Sequence, residues 1–145
     1  RRLVALEVCR RGARWATERN WAEKDSSRLR ERTPPLYVAA VNSVHQNDII
    51  HRDIKPQNIL FSSNDEVKIS DFGVSQLNSQ LRVNQITGTD FFLAPESFQK
   101  EKTLVVSGKA LDVWAFGVTV YSYYFMKVPF FKDTLEELAE AITSE

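Results

Sequence analysis

Apolar positions along the chain fall into separate stretches whose spacing predicts a few short strands and several helices. Leu3-Val4-Ala5-Leu6-Glu7-Val8 reads as a buried strand that ends toward Gly12. Residues 14–32 are rich in helix formers and charge, and Pro34-Pro35 breaks whatever helix stands there. Leu36, Val38, Ala40, Val41 and Val44 then suit a helix of about three turns from Leu36 to His45. Two β-like pieces follow, Asn58-Ile59-Leu60-Phe61 and Val67-Lys68-Ile69-Ser70. The turn chemistry of Ser62-Ser63-Asn64-Asp65 pairs them as a hairpin. Residues 74–93 are polar and irregular, a long loop of the kind that commonly carries function. From Ala110 to Met126 the chain is apolar and aromatic on most sides, as expected of a helix buried in the middle of a domain. Thr134-Leu135-Glu136-Glu137 reads as a capped helix start, with Leu135, Leu138 and Ile142 on one face. The pattern alone specifies a mainly helical domain with a short hairpin.

Composition narrows this only a little. At 145 residues, 43% hydrophobic and 26% charged, the chain has room for one ordinary globular domain. No apolar run reaches the roughly 18 residues of a bilayer span, and no secretory signal opens the chain. A single cysteine, Cys9, excludes an internal disulfide, so a cytoplasmic, intracellular setting is expected. The zero net charge gives no support to a nucleic-acid binder, and no membrane partner is expected. It conceals an asymmetry: residues 1–33 carry ten Lys/Arg against five Asp/Glu, the remainder nine against fourteen. Acidic residues interleave with the basic ones, which reads as a solvated face. Beginning at Arg1, with its only methionine at Met126, the chain is expected to be a processed or partial product.

The chemistry lies in three short blocks. His51-Arg52-Asp53-Ile54-Lys55-Pro56-Gln57-Asn58 is a loop held between a helix and the hairpin. Asp71-Phe72-Gly73 follows the hairpin's second strand, and Ala94-Pro95-Glu96 closes the irregular loop. Taken singly, Asp53 and Asp71 read as solvated acids, Asn58 as a turn residue and Lys55 as a surface lysine. His51 has no second ligand-like His or Cys beside it and reads as structural. Five fixed positions in the first block alone would match by chance on the order of once in a million starts. In this order the three blocks resemble the catalytic-loop, metal-loop and loop-anchor signatures of protein kinases.

The resemblance implies roles. Phosphoryl transfer needs positioning and charge neutralisation more than covalent help. Asp53 would take or orient the proton of the attacking hydroxyl, and Lys55 would steady the transferring phosphate. Asn58 and Asp71 would hold magnesium, a hard cation that prefers such oxygens. Lys109-Ala110-Leu111-Asp112-Val113-Trp114-Ala115-Phe116-Gly117 resembles the central helix of the kinase lower lobe, where Asp112 would brace the catalytic loop. Gly88-Thr89 resembles the substrate-facing segment, with Thr89 meeting Asp53 and Lys55. Lys55 in this setting favours serine/threonine specificity. Ser107 to Ala115 is most similar to the calcium/calmodulin-dependent kinase kinase group. Leu3 to Gly12 resembles the strand entering the hinge between lobes. Leu6 would be the gatekeeper, Glu7 and Cys9 would offer backbone groups to adenine, and Ile59, Leu60 and Phe61 would support the ring from below.

The expected fold is therefore α+β, a mainly helical C-lobe of the protein-kinase fold with a short β-hairpin and the N-lobe largely absent. Residues 1–145 would form a partial kinase domain, with hinge strand and hinge over 1–12 and C-lobe over 13–145, truncated at its C-terminal end. The function implied is transfer of the γ-phosphoryl of Mg·ATP to Ser/Thr hydroxyls of a protein substrate, another kinase among the candidates. ATP and Mg2+ are the implied cofactors. The departures matter too: no Gly-x-Gly loop and no upstream lysine–glutamate pair are found, and Asp90 stands where many relatives carry proline. An alternative is an inactive lobe or pseudokinase-like binding module lacking the ATP-clamping N-lobe, and another is a partial product without a stable fold. Arg52 marks a kinase type tuned by phosphate on the activation loop, yet the usual threonine position is Gln85. Thr87 is the nearest candidate for such a switch, ahead of Ser75 and Ser79. A calmodulin partner has little to point to: residues 10–32 carry Trp15 and Trp21 but no broad apolar stripe.

Overall fold

The protein is seen here as a computed structural model that describes residues 35–61, 67–77, 80–101, 103–125 and 127–144. The strand and hinge expected over 1–12 (Leu6, Glu7 and Cys9 included), the segment 14–32, the turn 62–65 and Ser79 lie outside the described residues. So do the side chains of Leu60 and Phe61.

The first described helix, α1 over 35–46, turns Tyr37 and Val41 inward, four residues apart on one face. Tyr37 is fully buried and stacks on Phe116 with ring centroids 5.0 Å apart. Leu36 and Val38, expected on the inner face, are exposed instead. The bulkier ring and its stacking partner decide which way the helix faces. The helix ends where Asp48 takes a left-handed φ of 54°, a conformation that acidic and amide side chains tolerate at helix ends.

Three two-stranded antiparallel sheets are found among the described residues. Strand β1 (Ile49–Ile50) pairs with β4 (Gln76–Leu77), and β2 (Ile59–Phe61) pairs with β3 (Val67–Ile69) as expected, with Ile59 opposite Ile69. Strand β5 (Gln80–Arg82) pairs with β6 (Val105–Ser107). The segment 74–93 is thus more ordered than its polar sequence predicts. It contributes two short strands and the single-turn 3-10 helices Val83–Gln85 and Asp90–Phe92. Strands of two or three residues are too short to show an alternating pattern, which is why they escape a reading of the sequence.

Helix α2 (Gly108–Phe125) runs through the domain and α3 (Leu135–Thr143) follows it. The buried positions of α2 are Gly108, Leu111, Asp112, Ala115, Val118, Thr119 and Ser122, a stripe at helical spacing. Its other side is not buried as expected: Val113, Tyr124 and Phe125 are exposed. Val113, Trp114 and Tyr121 line an open apolar groove there, together with Pro129 and Phe130. Helix α3 starts as predicted, the Thr134 hydroxyl accepting from the Glu137 N–H at 3.3 Å. Leu138 and Ile142 are buried, and Leu135 is half exposed. No described helix is long and apolar enough to cross a membrane.

The core has two parts. Val41, Ile54, Phe92, Ala115 and Val118 form one, and Ile50, Leu81, Ala94 and Leu111 form the other, with Trp114 packed against both. Ile54 sits in the chemical loop itself, between Asp53 and Lys55, and is only 2% exposed. One apolar side chain plugged into the core thereby fixes the height of the two polar ones beside it. Ile54→Ala is expected to cost about 2–5 kcal/mol and Ile54→Val about 0.5–1.5 kcal/mol. Thermal melts that fail to rank the two in that order would remove Ile54 from this anchoring role.

Candidate active site

The loop 51–58 is held from beneath by the carboxylate of Asp112 on α2. Its Oδ2 accepts from the His51 backbone N–H and from the His45 ring Nε2, both at 2.8 Å, and its Oδ1 accepts from the Arg52 N–H at 2.8 Å. Asp112 is 1% exposed, so these three donors compensate a charge that burial would otherwise make very costly. Arg52 is thereby held at a left-handed φ of 68°, a conformation that a non-glycine residue keeps only when its surroundings fix it. The fully buried His51 ring donates from Nε2 to the Ser70 carbonyl at 3.0 Å, which leaves Nδ1 to accept from the Asp53 N–H at 3.3 Å. Its edge rests on Phe72, with centroids 4.9 Å apart. His51 is structural, as its sequence context implies.

Above this base, the polar groups converge. The Asp53 Oδ1 accepts from the Thr89 hydroxyl at 2.8 Å, and the Lys55 Nζ lies 2.9 Å from that hydroxyl and 2.6 Å from the Asp53 Oδ2. The Asn58 amide nitrogen donates to the Asp53 carbonyl at 2.8 Å and to its Oδ2 at 3.2 Å. Four residues from two separated segments therefore share one hydrogen-bonded cluster. Burial pushes the Asp53 carboxyl up, but the hydrogen bonds from Lys55 and Thr89, the lysine charge and the Asn58 amide outweigh it. The result lies below the usual carboxylate range.

Asp71 stands next to this cluster through the hairpin. The Ser70 N–H donates to the Asn58 carbonyl at 2.8 Å, so the residue after Ser70 emerges beside the end of the loop. Asp71 itself has φ 63° and an exposed side chain, whose Oδ1 accepts from the Gly73 N–H at 3.4 Å. Two hard oxygens suit magnesium here: the exposed Asp71 carboxylate and the Asn58 Oδ1, which accepts no hydrogen bond among the described residues. Magnesium keeps several waters and shares substrate phosphates, so two protein oxygens are enough. No cluster of three or more His, Cys, Asp or Glu of metal-binding geometry occurs among the described residues.

Residues 74–89 are tied to the same loop. The Arg52 guanidinium donates to the Val74 carbonyl at 2.5 Å, the Gln76 Oε1 at 3.2 Å and the Gln85 carbonyl at 3.1 Å. Gly88 has φ 142°, and a Cβ there would stand 2.7 Å from the Arg52 carbonyl oxygen. Only glycine permits that approach. Thr87 is exposed and lines a cavity of about 20 Å³ together with Arg52, Gly88 and Ser97, whose buried hydroxyl has no hydrogen-bond partner among the described residues.

The structure thus gathers Asp53, Lys55, Asn58 and Thr89, with Asp71 adjoining. Glu7 and Cys9 are outside the described residues, and of Leu60 only its backbone pairing with Lys68 is described. Sequence reasoning missed His45, Ser70, Gln76 and the Val74 and Gln85 carbonyls. A histidine six residues ahead of His51 at a helix end was the one visible signal, and backbone acceptors leave none.

The protein kinase domain family model matches residues 2–145. The chain is 42% identical over 106 residues to the serine/threonine-protein kinase ppk34 of Schizosaccharomyces pombe, covering 72% of this chain and 30% of that protein. It is 36% identical over 144 residues to the calcium/calmodulin-dependent protein kinase kinase cmkC of Emericella nidulans, covering 96% and 27%. It is 40% identical over 124 residues to the serine/threonine-protein kinase GRIK2 of Arabidopsis thaliana, covering 80% and 30%. The chain spans less than a third of the length of each of these relatives.

Two outcomes are expected. Asp112→Asn replaces one acceptor oxygen by a donor and should loosen the loop by about 1–3 kcal/mol, read as faster hydrogen exchange at the His51 and Arg52 amides. Protection left unchanged at both would refute the bracing role. Because the Asp53 pKa is lowered in the fold, its stabilising contribution is complete above about pH 4, the ordinary range of an unfolded aspartate. It is lost as pH falls through the lower folded-state value. The melting-temperature gap between the parent chain and Asp53→Asn should narrow on acidification below about pH 4. A gap constant across that window would contradict the cluster's electrostatics.

Proposed function

The chain belongs to the protein kinase family, among its serine/threonine kinases, and from that we propose that it transfers the γ-phosphoryl of Mg·ATP to a Ser or Thr hydroxyl of a protein substrate. The observation that supports this most directly is the Asp53–Lys55–Thr89 cluster. A hydroxyl, that of Thr89, already donates to the Asp53 Oδ1 at 2.8 Å, so the carboxylate is placed and oriented to accept from an alcohol. A substrate hydroxyl arriving there would give its proton to Asp53 as its oxygen bonds to phosphorus. The bond from phosphorus to the bridging oxygen breaks, and ADP leaves with that electron pair. The lowered Asp53 pKa keeps this acceptor ionised near neutral pH.

Lys55 contributes a positive charge within 3 Å of both partners of the cluster. It can follow the transferring group by a small swing of its flexible stem. Thr89 fixes the Asp53 rotamer, and Asn58 fixes the loop carbonyl and the second carboxylate oxygen. Magnesium, when bound by Asn58 and Asp71, supplies charge neutralisation for the phosphates. The hinge contacts of Glu7 and Cys9 with adenine, support of the ring by Leu60 and an intracellular setting belong to the same proposal.

A thermal melt with and without Mg·ATP tests it, with Asp71→Ala as the control. A ligand present at 100 times its dissociation constant should stabilise by about 2.7 kcal/mol. The upward shift is expected with the parent chain and not with Asp71→Ala, followed by phosphorylation of a protein substrate that Asp53→Asn abolishes. A cooperative transition that ignores Mg·ATP would leave the chain a binding module of kinase ancestry.

A further inference from the structure

Asp90 follows directly on Thr89 and is held there by backbone alone. The Phe92 N–H donates to the Thr89 carbonyl at 2.9 Å and the Leu93 N–H to the Asp90 carbonyl at 3.1 Å, closing a single 3-10 turn anchored by the buried Phe92. The Asp90 side chain is exposed and makes no ion pair among the described residues. The two cations of the neighbouring loop are committed elsewhere, Lys55 to Asp53 and Thr89, Arg52 to Val74, Gln76 and Gln85. Between Arg82 and Lys100 the only charged residues are Asp90 and Glu96. The next residue, Phe91, stacks on Phe131 with centroids 5.4 Å apart and planes inclined by 17°, and Phe131 is 67% exposed.

We propose that Asp90 and the Phe91–Phe131 pair form a charge-selecting lip beside the acceptor position. It would take hydroxyls flanked by arginine or lysine in preference to those flanked by neutral or acidic residues. The inference rests on the reading of the site as a phosphoryl-transfer centre and adds the substrate class. An acceptor hydroxyl within reach of Asp53 lies next to Thr89, and the residues that continue the chain from Thr89, Asp90 and Phe91, are the ones its flanking side chains would meet there. A guanidinium there meets an unpaired carboxylate and an exposed ring face, two features that attract cations and offer nothing to an acid. Lys132 follows Phe131, is exposed and makes no ion pair with Asp90, so it does not neutralise the lip from within.

The test is binding rather than turnover, so that it stands apart from the activity itself. Three 12-residue peptides with one serine flanked on both sides by arginine, alanine or glutamate are titrated against the chain by fluorescence anisotropy at low salt. The parent chain should bind the arginine peptide roughly three- to tenfold more tightly than the alanine peptide. Asp90→Asn should bring that ratio to about one, Asp90→Glu should restore it, and Asp90→Lys should turn the preference toward the glutamate peptide. Thermal melts of each variant establish that the fold is intact. No arginine preference in the parent chain, no peptide binding at all, or a preference untouched in Asp90→Asn and Asp90→Lys would overturn the proposal. Charge-dependent binding without phosphorylation of any peptide would instead overturn the activity and leave the lip standing.

Discussion

The Asp112 carboxylate, buried on α2 and saturated by donors from His45, His51 and Arg52, is the contact on which the site depends. A buried ionised carboxylate is tolerable only while its donors are in place, and two of those donors are the His51 and Arg52 backbone N–H groups, the third the His45 ring. Each side therefore enforces the other. A helix whose position is set by the core passes that position to a loop whose regular structure is a single 3-10 turn, Pro56–Asn58. Ile54 completes the arrangement from the apolar side, so the loop is fixed by one ionic and one hydrophobic anchor.

From there, order passes outward through Arg52. Its backbone accepts the close approach of Gly88, and its guanidinium collects the Val74, Gln76 and Gln85 oxygens. All three acceptors are neutral. Hydrogen bonds to a charged donor contribute about 1.5–3 kcal/mol each where they are sheltered, so neutral oxygens can hold the segment that carries Thr89. That segment then delivers the Thr89 hydroxyl to Asp53 and Lys55.

How much of this was legible in the sequence follows from how local each interaction is. Asp53, Lys55, Asn58 and Asp71 lie in blocks whose residue types and spacing carry the chemistry, and Asp112 and Thr89 were reached through the kinase resemblance those blocks support. Helix α2 was visible from its apolar content, but its inward face was not, because Asp112, Thr119 and Ser122 are on it. Thr119 and Ser122 are at home there because their hydroxyls donate to the Ala115 and Val118 carbonyls at 2.7 and 2.8 Å. Tyr37 was passed over for Leu36 and Val38, since only the distant Phe116 decides which way α1 turns. The pairings of Ile50 with Gln76 and Leu81 with Val106 join segments far apart in the chain, through strands too short to leave a pattern.

Strain is distributed in the same way. Arg52 and Asp71, both non-glycine residues at left-handed φ, each carry a conformational cost of order 1–3 kcal/mol. They bracket the His51 ring, which touches the chain beside each of them: Nδ1 accepts from the Asp53 N–H and Nε2 donates to the Ser70 carbonyl. A buried imidazole with both nitrogens engaged cannot relax toward either strand without leaving a polar atom unpaired. The two strained residues are therefore locked by one shared side chain. Relief at either would disturb a hydrogen bond of that ring. For the phosphoryl transfer proposed above such a fixed frame matters, because charge placed in advance stabilises a transition state without reorganisation.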